Sequence, residues 1–144
     1  MRPHSILMFE RLFLGSLALS TVASVLAYDD VLAELERDPA MAQLGLGGGF
    51  LVGMLALGMA IFVLLWFLIA RKASRVAKWI LVVFVAVGLA SLAVSLADSF
   101  TPDVNTLLSL SSYALEVAAV VYLFHADAVA WLRGEAPADP ATFD

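Results

Sequence analysis

Residues 50–78 read FLVGMLALGMAIFVLLWFLIARKASRVAK. The first 21 of these carry no charge, and then Arg71, Lys72, Arg75 and Lys78 arrive within eight positions. At about 1.5 Å of rise per residue, 21 residues make roughly 31 Å of helix, the thickness of a bilayer's hydrocarbon core. A helix on a soluble domain of this length would need a polar face, and this one has none. The stretch therefore predicts a membrane span ending in a basic turn, and basic turns stay on the cytoplasmic side.

Working outward, three more apolar runs of spanning length appear. The spans are expected at about 5–28, 46–70, 76–97 and 105–132. Of the 144 residues, 62% are hydrophobic and 15% charged, with a mean hydropathy of +0.96. Soluble domains run near about 45–50% and 25%. The reading is an all-α integral membrane protein: four transmembrane helices in one antiparallel up-down bundle, residues 1–133, with a short flexible cytoplasmic tail at 134–144. None of the runs shows the alternation of a barrel strand.

Topology follows from charge. Seven of the eight Lys and Arg residues fall on one side and only Arg37 on the other, so both termini are expected in the cytoplasm. Trp66, Trp79 and Trp131 mark the same boundary, and Tyr28 and Phe100 the opposite one. A bacterial inner membrane is the expected location. Residues 1–27 also read as a signal peptide with Val25-Leu26-Ala27 as its cleavage site, but are taken here as a retained first span.

The loop after span one is acidic, with Asp29, Asp30, Glu34, Glu36 and Asp38 against Arg37. It reads as an extension of span one or a short interfacial helix that ends before Pro39. Its acidic face is read as solvated rather than as a cation-attracting mouth. Between spans, lipid removes the hydrophobic drive, so small residues must bring backbones close. Gly45, Gly49 and Gly53 form such a ridge, continued by Ala56 and Ala60. Ser16, Ser20 and Ser24 form another, and Gly88, Ser91, Ser95 and Ser99 a third. These ridges are expected to pack within one chain, the alternative being a homo-oligomer interface.

One side chain breaks the apolar pattern. Glu116 lies mid-span, where a carboxylate costs several kcal/mol unless it is protonated, paired or in contact with water. Asn105, Ser109 and Ser112 share its helical face at spacings of 4, 3 and 4, and Tyr113 is adjacent. The functional reading is an ion- or proton-binding site reached along that polar stripe. The structural reading is a glutamic acid bonded to Ser16, Ser20 or Ser91. Near the cytoplasmic boundary, Glu10, Arg11, His125 and Asp127 should form an inner polar cluster, with Arg11–Asp127 and Glu10–His125 as its pairs. Arg71, Lys72, Arg75 and Lys78 form a patch for anionic lipid or a partner protein.

The sequence also excludes. With no cysteine there is no disulfide or thiolate chemistry. His4 and His125 do not make a haem site, no metal-ligand spacing occurs, and no cofactor is expected. One short basic cluster without a recognition motif does not bind nucleic acid. Glu116, Tyr113 and serines are a thin set for a lipid- or quinone-handling enzyme. Two readings remain: an oligomeric transporter or channel exchanging protons or cations at Glu116, and a non-catalytic accessory or assembly subunit of a larger membrane complex. Expected partners are membrane lipids and either further copies of the chain or that complex.

Overall fold

The computed structural model describes residues 2–98 and 102–134, and these contain helices and no strand. The elements are α1 (His4–Leu26), α2 (Tyr28–Arg37), α3 (Pro39–Gln43), α4 (Gly48–Lys72), α5 (Arg75–Asp98), α6 (Val104–Tyr122) and α7 (Ala126–Arg133). Four of them, α1, α4, α5 and α6, are long and apolar enough to cross a membrane. Ser99, Phe100 and the tail from 135 onward lie outside the described residues.

Local chemistry sets the boundaries. Asp38 is extended, as a residue before proline must be, and ends α2. Its carboxylate then accepts the Ala40 amide at 2.9 Å and starts α3. Between α4 and α5, Ala73 turns left-handed at φ 51° and the Ser74 hydroxyl accepts the Ala77 amide. Asp103 caps α6 by accepting the Thr106 amide at 2.7 Å.

The expected fourth span does not run unbroken to residue 132. It ends at Tyr122, where the Leu123 and Phe124 amides close tight i→i−3 bonds to Val120 and Val121. His125 is extended and α7 restarts behind it. Buried Lys78 stabilises the break: its Nζ donates to the freed Leu123 carbonyl at 2.8 Å and sits 3.7 Å from the centre of the Phe124 ring. A cation beside carbonyls left open at a helix C-terminus is favoured by their charge and by the helix dipole.

Helices α1 and α6 form the most extensive contact, running antiparallel with Ser20 against Ser112, and Ser5 of α1 meets Asp127 of α7 beyond it. α4 meets α1 and α5, and α5 meets α6. The buried core is confined to one end. It joins Ile6, Phe9 and Phe13 of α1 to Leu65 and Ile69 of α4, Leu81 of α5 and Leu123 just after α6, with Ala128 and Leu132 of α7 beneath. No residue of α4 before Leu65 is buried, and none of α5 between 86 and 97. This places the core at the end bearing Arg71 and Arg75; the other end is loosely filled.

That asymmetry corrects the packing expectation for the glycine ridge. Gly45 is in the turn before α4, with φ 67°, while Gly49 and Gly53 are exposed with nothing within 4 Å of where a Cβ would stand. Ala56 and Ala60 are exposed too. Ser91 and Ser95 of α5 are likewise exposed, whereas Gly88 of that ridge packs closely against Tyr113. The serines of α1 do pack, against α6: Ser112 donates to the Ser16 carbonyl at 2.9 Å and meets the Ser20 hydroxyl at 2.6 Å.

Candidate functional site

A cavity of about 460 Å³ occupies the loosely filled end, and α1, α2, α4, α5 and α6 all line it. Its walls differ in chemistry. Asn105, Ser109, Ser112, Tyr113 and Glu116 come from α6, and Ser20 and Ser24 from α1. Leu51, Met54, Leu55, Met59 and Phe62 of α4 make the opposite wall. The whole polar stripe expected from spacing on α6 therefore faces one space.

Glu116 is buried, 9% exposed, and its carboxyl makes no hydrogen bond or ion pair with any described residue. The structural reading assigned it to Ser16, Ser20 or Ser91, and none of these serves. Ser16 donates to Phe13 O at 2.8 Å, and Ser91 is exposed. Ser112 has a single proton and gives it to Ser16 O, so in the Ser20–Ser112 pair Ser20 is the donor. Ser112 is thereby a rung between α1 and α6. Ser24 and Ser109 line the cavity without holding such a rung. At the other end of the stripe, Asn105 Oδ1 is buried and also unpaired among the described residues.

The floor is aromatic. Phe62 and Phe84 line the cavity with ring centroids 5.8 Å apart. Beneath them Phe13 lies 6.2 Å from Phe62, and Phe9 stacks on Phe13 at 5.3 Å. Glu116 thus stands where polar cavity gives way to dry core. Two glycines shape the walls. A Cβ at Gly88 would lie 3.0 Å from the Tyr113 ring, so glycine lets that ring pack closely against α5. A Cβ at Gly48 would come within 2.7 Å of the Tyr28 hydroxyl.

The inner polar cluster does not pair as expected. Glu10 pairs with Arg2 and, at 3.7 Å, with Arg71 rather than with His125. Asp127 accepts the Ser5 amide at 3.1 Å instead of meeting Arg11, which is exposed. Burial acts upward on the Asp127 carboxyl, but the hydrogen bonds from Ser5 and from the amides of Ala128 and Asp127 together hold the group below the usual carboxylate range. His125 stacks on Tyr122 and caps α7. The difference has a simple cause. Ending span four at Tyr122 rotates 125–133 out of the face expected of one continuous helix. In the patch, Arg75 donates to Leu132 O at 2.9 Å yet stays exposed beside Arg71 and Lys72, while Lys78 is buried.

The α4 wall was not singled out in the sequence, and Tyr28 was read as a boundary marker and Gly88 as part of a packing ridge rather than as cavity walls. Positions 51, 55, 58 and 62 do fall on one helical face, but in a span apolar on every side that face has no contrast to reveal it. Among the described residues no three His, Asp or Glu side chains gather as metal ligands. No family model, curated protein or solved structure matches this chain.

Proposed function

We propose that the protein is a small membrane transporter or channel in which Glu116 binds and releases a proton or cation. It would act as an up-down four-helix bundle with both termini cytoplasmic and the cavity opening outward, since the basic residues cluster at the packed end. The carrying observation is a buried carboxyl with no hydrogen-bond or ion-pair partner among the described residues, facing a cavity lined with hydroxyls. A carboxyl left unpaired in such a place supports an exchangeable occupant, because keeping it there costs several kcal/mol with no structural bond in return. The aromatic floor supports a site that loads from one side, with passage requiring Phe13, Phe62 and Phe84 to part or a second copy to complete the path.

The exposed Gly49–Gly53 ridge supports assembly into a homo-oligomer, and equally an accessory subunit seated against a larger partner. The test is flux. Protein reconstituted in liposomes should pass protons or monovalent cations, and Glu116→Gln should abolish this with helicity unchanged. Absence of flux from wild type, together with co-purification of a larger membrane complex, selects the accessory reading.

A further inference from the structure

We propose that the cavity takes an amphipathic organic ammonium, its charged head at Glu116 and its apolar body along α4. This rests on the reading above that Glu116 is a cation site, and it names the occupant.

Size comes first. A cavity of about 460 Å³ falls within the roughly 300–1,000 Å³ of pockets that enclose whole organic molecules. A lone metal ion needs far less space and much denser oxygen. Calcium, for example, takes about six to eight oxygens at roughly 2.3–2.6 Å. Here a single carboxyl is present, Ser112 is committed to the α1–α6 rung, and Asn105 lies eleven residues away, roughly 16 Å along the helix.

The walls come second. Leu51, Met54, Leu55 and Met59 offer no polar atom that could solvate an ion, yet they form a continuous face of α4. Methionines adapt to irregular apolar shapes. Such a wall is suited to hydrocarbon.

Placement of charge comes third. Glu116 shares the inner end of the cavity with Tyr113, Phe62 and Phe84. Aromatic faces attract organic cations, and do so more strongly where water is excluded. Glu116 has no hydrogen-bond partner among the described residues, and an ionised carboxyl only accepts, so an N–H-bearing head beside it is complementary where a carbonyl or carboxylate is not. A neutral lipid would fill the α4 side and leave the carboxyl unanswered.

A matched pair of probes tests this on the full chain in lipid nanodiscs: 2-(1-naphthyl)ethylammonium and its neutral twin, 2-(1-naphthyl)ethanol. The ammonium should bind wild type at least about tenfold more tightly than the alcohol, and Glu116→Gln should erase the difference. Met59→Gln, which keeps the acid and spoils the apolar wall, should weaken both probes and preserve their ratio. Equal binding of the two by wild type, or a preference that survives in Glu116→Gln, overturns the proposal. The two readings also fail separately. Glu116-dependent flux of protons or sodium without ammonium binding removes the organic ligand and leaves ion exchange. Glu116-dependent ammonium binding without flux of any ion or of the probe itself retains the ligand and removes transport.

Discussion

Within α4, one helix behaves in two ways. Leu65, Ile69 and Ala70 are buried, while nothing between Gly48 and Leu64 is, although the apolar character hardly changes along its length. Hydropathy therefore does not decide which half packs; the volume of the facing side chains does. At the basic end α4 meets Phe9, Phe13 and Leu81. At the far end the cavity separates it from small residues, Ser20, Ala23 and Ser24 of α1, Ala27 just after it and Gly88 of α5, and the larger Tyr28 and Tyr113 line the space without closing it. Where hydrocarbon surrounds the chain, contact between side chains must hold helices together. One end supplies cohesion, and the other is left free to bind.

The sharpest way to break that division is at Phe13. It is fully buried and links the two aromatic contacts of the floor. Phe13→Ala should cost about 3–5 kcal/mol, measured by unfolding in mixed micelles. Met54→Ala, on the cavity wall and 52% exposed, should cost less than about 1 kcal/mol. Comparable losses would mean that the far end carries as much cohesion as the core.

A smaller effect is expected where the ends meet. Gly88→Ala places a methyl 3.0 Å from the Tyr113 ring and 3.1 Å from its hydroxyl, so the ring must move. The cost should be about 1–2 kcal/mol. It should be largely recovered when Tyr113→Ala is added, which makes the pair non-additive. Additive losses would show that Gly88 matters to α5 alone.

Much of this was legible from charge and hydropathy: four spans, the α2 helix stopping at Pro39, and the α6 stripe from Asn105 to Glu116. Each depends on contrast within the sequence, polar against apolar. The break after Tyr122 was not legible. It needs Lys78 from α5 to answer the Leu123 carbonyl, a contact 45 positions away. The pairings expected for Glu10 and Arg11 were lost with it, since their partners His125 and Asp127 had been placed on an unbroken fourth helix. The cavity's α4 wall was hidden for the opposite reason, a face no different in composition from its surroundings.

The Asp103 cap tests the outer rim of the cavity. The Thr106 amide bond holds its carboxyl below the ordinary 3.8. A lowered value in the folded chain means that the charged form is the one stabilised. Its contribution is thus full above the ordinary value and is lost as pH falls through the lowered one. The first turn of α6, which carries Asn105, should fray below about pH 4 as charge is lost from the cap. Faster hydrogen exchange at Thr106 would report it. Asp103→Asn keeps an acceptor without the charge and should flatten the pH dependence; an unchanged profile in that variant would assign the fraying to another group.

The smallest effect on folding should come from the most conspicuous glycines. A Cβ at Gly49 or Gly53 meets nothing within 4 Å. These positions lie two residues from Leu51 and Leu55, about 200° around the helix, so they face away from the cavity. Gly53→Leu should change stability by no more than about 0.5 kcal/mol, and should leave the preference for a cationic probe intact. Any larger loss must then arise outside the single chain. If the ridge is where copies meet, Gly49→Leu/Gly53→Leu will shift cross-linked oligomers to monomer while each monomer stays folded. Flux that disappears with the oligomer while probe binding remains would divide the labour once more: Glu116 and its cavity belong to one chain, and the way through belongs to several.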